Sequence, residues 1–110
     1  MKQEIGKALL VVFMEPKAEV EREFNDWYNQ HQKNPPTGFR SQDRLSADQE
    51  SRLHEGVVLD KDMRRQAHPA PRDLVRQLPP PPSNHRYVAI GGHIGLIDNS
   101  YQVKAVIRLH

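Results

Sequence analysis

The chain has 110 residues, no cysteine, a hydrophobic fraction of 36%, a charged fraction of 27% and a formal net charge of +2. This length suits one domain with a modest core, and the lack of cysteine excludes disulfides and thiolate metal sites. The longest apolar run, Ala8 to Met14, is too short to cross a bilayer. With no recognisable secretion signal, we expect a soluble protein that is cytoplasmic as written, or periplasmic if a leader has been removed.

The first predicted unit is strand–helix–strand. Ala8–Met14 is a continuous apolar run bounded by charge, which is typical of a strand buried on both faces. A helix is predicted from Ala18 to His31, ending before Pro35-Pro36, because helical spacing collects one apolar stripe: Val20, Phe24, Trp27, Tyr28 and His31. Phe39–Leu45 is predicted as a short polar strand.

Residues 8–45 resemble the opening of a ferredoxin-like family that forms dimeric α/β barrels. The resemblance is carried by the segments ALLVVFMEP, EFNDWYNQHQ and TGFRSQDRL. Thr37 stands where the pattern has proline, and His31 comes one residue early. The resemblance implies a small ligand-binding or enzymatic dimer, with Trp27, Tyr28 and His31 as candidate ligand-binding residues. The alternative is that these three side chains only pack the helix onto a sheet.

The middle of the chain is predicted to hold two short helices. Ser46 and Gln49 form a capping box, so a helix of about two turns is expected to run to His54, with Gly56 as its stop. Val57–Leu59 is too short to assign, and an edge strand is one possibility. Pro71–Leu78 is predicted as a single helical turn that buries Leu74, Val75 and Leu78. Pro79–Pro82 then forces an extended spacer.

Charge is unevenly placed along the chain. Lys17–Glu55 carries six basic and eight acidic residues, whereas Lys61–Arg86 carries six basic and two acidic residues. The basic segment could attract an anionic partner; the alternative is a solvated loop with scattered arginines. Residues 61–68 show no sustained period and are predicted as loop. Nucleic-acid binding is not indicated, because aromatic residues do not alternate with the arginines.

The last quarter gives the clearest strand signals. Tyr87–Ile90 and Ile94–Ile97 flank Gly91-Gly92, a strong hairpin signal. After a turn at residues 98–100, apolar residues alternate with a mainly polar set: Val103, Ala105, Ile107 and Leu109 against Lys104, Val106 and Arg108. We predict a three-stranded antiparallel meander with one apolar face. The predicted class is α+β, with a mixed or antiparallel sheet covered by one main helix and one or two short helices.

Residues 45–109 resemble a family of small bacterial envelope proteins that includes periplasmic regulators of nickel and cobalt efflux. The segments that carry this resemblance are LSADQ, LPPPP, RYVAIGGHIGLID and VKAVI. The resemblance implies an envelope-type fold and transfers no ligand or catalytic residue. We expect a single domain over 1–110; the alternative is a composite of a 1–45 strand–helix–strand unit and a 46–110 proline-linked β-meander module.

The leading functional hypothesis is a binding or interaction module without catalytic activity, self-associating through an open sheet edge as a homo-oligomer. Its partner is an unknown protein or small molecule, and no cofactor or membrane partner is indicated. The second hypothesis is the barrel-type dimer that uses Trp27, Tyr28 and His31. A third is a metal-responsive protein, because His85 and His93 flank the first hairpin, although no pair of the six histidines has metal-ligand spacing.

Overall fold

The computed structural model describes residues 17–109. The strand predicted at Ala8–Met14 lies outside this range. The helices are α1 (Lys17–Gln30), α2 (Ala47–Arg52), α3 (Lys61–Gln66) and α4 (Arg72–Val75), with a 3-10 turn at Ser41–Asp43. The strands are β1 (Ala67–Pro69), β2 (His85–Ile90), β3 (His93–Asp98) and β4 (Val103–Ile107). This arrangement confirms the predicted α+β class with one main helix.

Helix α1 forms for the reason that the sequence indicates. The exposed fractions of Val20, Phe24 and Trp27 are 7%, 0% and 2%, so the apolar stripe faces the sheet. The prediction that Phe39–Leu45 is a strand is wrong. The Asp43 carboxylate accepts hydrogen bonds from the backbone N–H groups of Gly38 and Arg40, so this segment satisfies its backbone locally and turns back under α1.

The second and third helices begin at side-chain caps. Ser46 accepts from the Gln49 N–H and Gln49 bonds back to the Ser46 N–H, which confirms the capping box. The prediction of a loop over residues 61–68 is wrong. Asp60 caps α3 by accepting from the Met63 N–H, and the burial of Met63 stabilises a helix too short to show a period.

The four strands form an antiparallel sheet in the order β1-β2-β3-β4. The predicted meander is therefore confirmed as β2, β3 and β4, with β1 added along the outside of β2. The register of the central hairpin places His85 opposite Asp98 and Ile90 opposite His93, so Gly91-Gly92 makes the predicted two-residue turn.

The prediction of one apolar sheet face is wrong, because both faces are buried. An α1-side core contains Val20, Phe24, Trp27, Phe39, Leu74, Leu78, Tyr87, Ala89, Ile94, Leu96, Ala105 and Ile107. An α3-side core contains Leu53, Leu59, Met63, Val88, Ile90, Ile97, Val103 and Val106. The register skips Lys104 between the pairs Leu96–Ala105 and Ile97–Val103. That bulge switches the alternation of β4, so Val103 lies on the face opposite to Ala105.

Both edges of this sheet are covered or shortened. Beside β4, the Val103 backbone N–H donates to the Val57 carbonyl, and the Val103 carbonyl accepts from the Gly56 N–H. Past the end of β4, the Arg108 N–H donates to the Glu21 carboxylate, and its carbonyl accepts from Asn25. The other edge, β1, has three residues and ends in Pro69, which lacks an N–H.

Candidate functional site

The three predicted ligand-binding residues lie at the C-terminal end of α1. The Trp27 indole is buried and packs edge-on against Phe39, with ring centroids 5.3 Å apart. Tyr28 is half-buried on the margin of the same core. His31 stacks on Trp27 at 4.3 Å between centroids, and its side chain is 34% exposed.

Asp73, which precedes Leu74 on α4, contacts both Trp27 and His31. The Trp27 Nε1–H donates to Asp73 Oδ2 at 2.8 Å, and His31 Nε2 lies 3.4 Å from the same oxygen. The bond from Trp27 lowers the pKa of Asp73 most, and the nearby His31 adds to the effect. His31 Nδ1 lies 2.7 Å from the Trp27 carbonyl oxygen. Because a carbonyl only accepts, Nδ1 carries a proton and donates it there.

Beside this cluster is a shallow acidic groove of about 410 Å³, lined by Glu23, Asp26, Trp27, Gln30 and Gln77. Neither Tyr28 nor His31 is among its lining residues. The three residues lie close to one end of the helix, with His31 just beyond Gln30, and their role in ligand binding stays a prediction. Of the three, only Trp27 lines this groove.

The histidines of the metal hypothesis are far apart. His85 lies opposite Asp98 and His93 lies opposite Ile90, which separates the two by five residues along the hairpin, roughly 17 Å. The expectation that they meet across the hairpin is wrong. Both nitrogens of His93 are engaged, Nδ1 by the Leu109 N–H and Nε2 by the Glu50 carboxylate. Within residues 17–109, no group of three metal-ligating side chains converges.

A second site lies on the opposite face of the sheet, and the sequence did not single it out. The guanidinium carbons of Arg64 and Arg86 lie 4.5 and 5.1 Å from the centroid of the Tyr101 ring. These three side chains line a space of about 180 Å³ together with Ala67, Pro69 and Val88. We call this space the arginine–tyrosine groove. The available signal was the basic charge of residues 61–86, but no spacing in the sequence relates Arg64 to Arg86 or to Tyr101.

The loop after β3 holds Tyr101 in place at a conformational cost. Tyr101 has a φ of +62°, in the left-handed region that bulky residues rarely adopt. Asp98 Oδ1 accepts from the N–H groups of Ser100 and Gln102, and the Tyr101 N–H donates to the Asp98 carbonyl. These bonds, chiefly the one from Gln102, also lower the pKa of Asp98. The strained turn thus holds the aromatic ring close to both arginines.

No protein-family model matches the chain, and no curated protein matches it in sequence. Among solved structures, it is similar to the C-terminal domain of inner membrane protein CigR from Salmonella enterica, with a TM-score of 0.62 and 19% identity. The match covers 88% of this chain and 89% of that domain. At this identity the likeness shows the fold, and that fold occurs in a bacterial envelope protein. Across residues 17–109, no helix has the length and apolar character needed to cross a membrane.

Proposed function

We propose that the protein is a non-catalytic binding domain of the bacterial envelope type, formed by a single domain over residues 1–110. The observation that carries the proposal is the engagement of His31, the side chain best placed for proton transfer in the barrel-type alternative. Its Nδ1–H is committed to the Trp27 carbonyl and its Nε2 faces the Asp73 carboxylate. A general base needs a nitrogen that faces the substrate, and neither nitrogen of His31 lines the adjacent acidic groove.

The proposal does not include self-association through a sheet edge. The edge of β4 is met by Val57 and by α1, and β1 ends in Pro69. Strand addition needs a row of unpaired backbone groups. A contact with a partner would therefore use side chains, and we propose that the partner is a different molecule.

The likeness to a domain of an inner membrane protein supports an envelope location, as does the resemblance of residues 45–109 to periplasmic regulators of nickel and cobalt efflux. We propose the periplasm as the compartment. Detecting the protein in the periplasmic fraction of cells that express its natural gene would support this location. Retention in the cytoplasm would contradict it.

His31→Ala tests whether this histidine is structural. The proposal predicts a loss of about 0.5–1.5 kcal/mol in the free energy of unfolding, because the variant removes a hydrogen bond and a stacking contact. His54→Ala is the control: His54 is exposed, and the expected change is within about 0.5 kcal/mol. Urea denaturation followed by circular dichroism gives both values.

If the protein is instead a barrel-type enzyme, the wild type and His31→Ala should give different results. A catalytic histidine is commonly neutral or unfavourable for stability. In that case the free energy of unfolding of His31→Ala would equal or exceed that of the wild type. The barrel also requires a dimer, whereas the proposal predicts a monomer in light scattering. A stabilised His31→Ala variant, or an obligate dimer, would overturn the proposed function.

A further inference from the structure

The arginine–tyrosine groove brings together two positive charges that no carboxylate of residues 17–109 pairs with. Both guanidinium groups lie near one tyrosine ring, so they are within about 10 Å of each other. Neither Arg64 nor Arg86 forms an ion pair with any carboxylate of the described residues. Some arginines of the described residues do form such pairs: Arg52 pairs with Asp48 and Asp60.

The two arginines are held by different elements. Arg64 lies on α3, and its Nε–H donates to the Leu59 carbonyl at 2.9 Å. This bond fixes the guanidinium plane and leaves its four Nη hydrogens for other acceptors. Arg86 lies on β2 opposite Ile97, on the same sheet face as Val88. A helix and a strand thus bring the two groups to one tyrosine ring before any ligand arrives.

Asp62, two residues before Arg64, forms no ion pair with it, and two further carboxylates near the groove have other partners. Asp60 caps α3 and pairs with Arg52. Asp98 accepts from two backbone N–H groups, and Lys104 Nζ lies 3.8 Å from it. Among residues 17–109, the two guanidinium groups therefore have no carboxylate as an ion-pair partner. An anion that enters the groove would relieve the repulsion between the two guanidinium groups.

We propose that the arginine–tyrosine groove binds a carboxylate group of an acidic segment of a partner protein. This inference rests on the proposed binding role. Guanidinium groups match a planar carboxylate with paired hydrogen bonds. The apolar lining of Ala67, Pro69 and Val88 suits the hydrocarbon stem of a glutamate side chain better than it suits a bare inorganic anion.

The size of the groove supports a side-chain ligand. Its volume is about 180 Å³, whereas pockets for whole small-molecule ligands begin near 300 Å³. One acidic side chain fills such a space, and its carboxylate would meet the two guanidinium groups. Affinity should consequently fall as the salt concentration rises.

The test uses the full chain labelled with nitrogen-15 and a capped hexaglutamate peptide as the probe, at low ionic strength. We expect NMR shift changes at the Nε–H signals of Arg64 and Arg86 and at the Tyr101 amide. Arg64→Gln and Arg86→Gln should each weaken binding about tenfold, and the double variant should lose it. Arg65→Gln is the matched control, because Arg65 is an exposed neighbour on α3 with the same charge and does not line the groove.

Three results would overturn the inference. The first is no binding of hexaglutamate to the wild type, or equal binding of capped hexaglutamine. The second is an equal loss of affinity in Arg65→Gln, which would mean that net charge alone attracts the peptide. The third is tighter binding of inorganic phosphate than of the peptide. Thermal melts of all variants exclude unfolding as the cause, and failure here leaves the His31 test of the proposed function untouched.

Discussion

His93 is the one polar residue among those buried in the described part of the chain, with an exposed fraction of 7%. The Leu109 N–H donates to Nδ1 at 3.0 Å, so the proton of a neutral ring is on Nε2, which donates to the Glu50 carboxylate at 2.5 Å. Arg108 lies 3.6 Å from the same carboxylate oxygen. These contacts join β3, α2 and the C-terminal segment. Burying a histidine costs little free energy when both of its nitrogens are hydrogen-bonded. Removing it leaves its buried partners without a hydrogen bond.

His93→Leu should lower the free energy of unfolding by about 1.5–3 kcal/mol, because a charge-assisted bond and the acceptor of the Leu109 N–H are both lost. Glu50→Gln keeps an oxygen acceptor for the Nε2–H and removes only the charge. The decrease in the free energy of unfolding should therefore be smaller for Glu50→Gln than for His93→Leu. Urea denaturation at neutral pH measures both, and equal losses would contradict this account of the bond.

Asp98 gives a prediction about pH. The N–H groups of Gln102 and Ser100 lower the pKa of its carboxyl below the ordinary value of 3.8. A group with a lowered pKa in the folded state stabilises the fold above its unfolded pKa, and this stabilisation is lost as the pH falls through the folded value. The stability advantage of the wild type over Asp98→Asn should therefore shrink from pH 6 to acid pH. Carboxyl carbon-13 titration and urea melts check this, and a constant difference across that range would contradict it.

At the scale of elements, the turn before the 3-10 segment packs directly against β2. Gly38 has a φ of +97°, and a Cβ placed there would lie 2.6 Å from the Ala89 Cβ. Gly56 has a φ of +90°, but no atom lies within 4 Å of its hypothetical Cβ. The two glycines therefore share a backbone conformation and differ in the space around it. This pair separates the cost of a left-handed backbone from the cost of steric crowding.

Gly56→Ala should cost about 1–2 kcal/mol for the left-handed backbone alone. Gly38→Ala should cost the same plus about 1–3 kcal/mol, because the methyl group must displace β2 or the turn. Denaturation midpoints of the two variants measure the difference. Equal destabilisation would mean that the turn moves away from Ala89 without cost.

The short elements also show where sequence reasoning reaches its limit. The caps of α2 and the strands of the hairpin follow from local chemistry, so both were predictable. Helix α3 was not, because six residues show no period and the burial of Met63 depends on contacts distant in sequence. The same holds for β1, whose partner Val88–Ile90 follows a helix and four prolines.

At the scale of the whole molecule, the sequence pattern of β4 did not predict that both faces of the sheet are buried. Its sequence alternates as if one face were solvated, but the extra residue Lys104 shifts the alternation in mid-strand. Glycine, proline and capping signals predict single elements well. Which elements meet, as in the arginine–tyrosine groove, depends on the assembled topology, and no single-sequence pattern encodes it.

The position of Trp27 gives the fold a built-in optical reporter. It is the only tryptophan in the sequence, and it lies in the α1-side core with its indole N–H bonded to Asp73. Its fluorescence therefore follows the loosening of the α1-side layer. The α3-side layer contributes no tryptophan signal, so the unfolding of the α1-side layer can be followed by itself, without any added label.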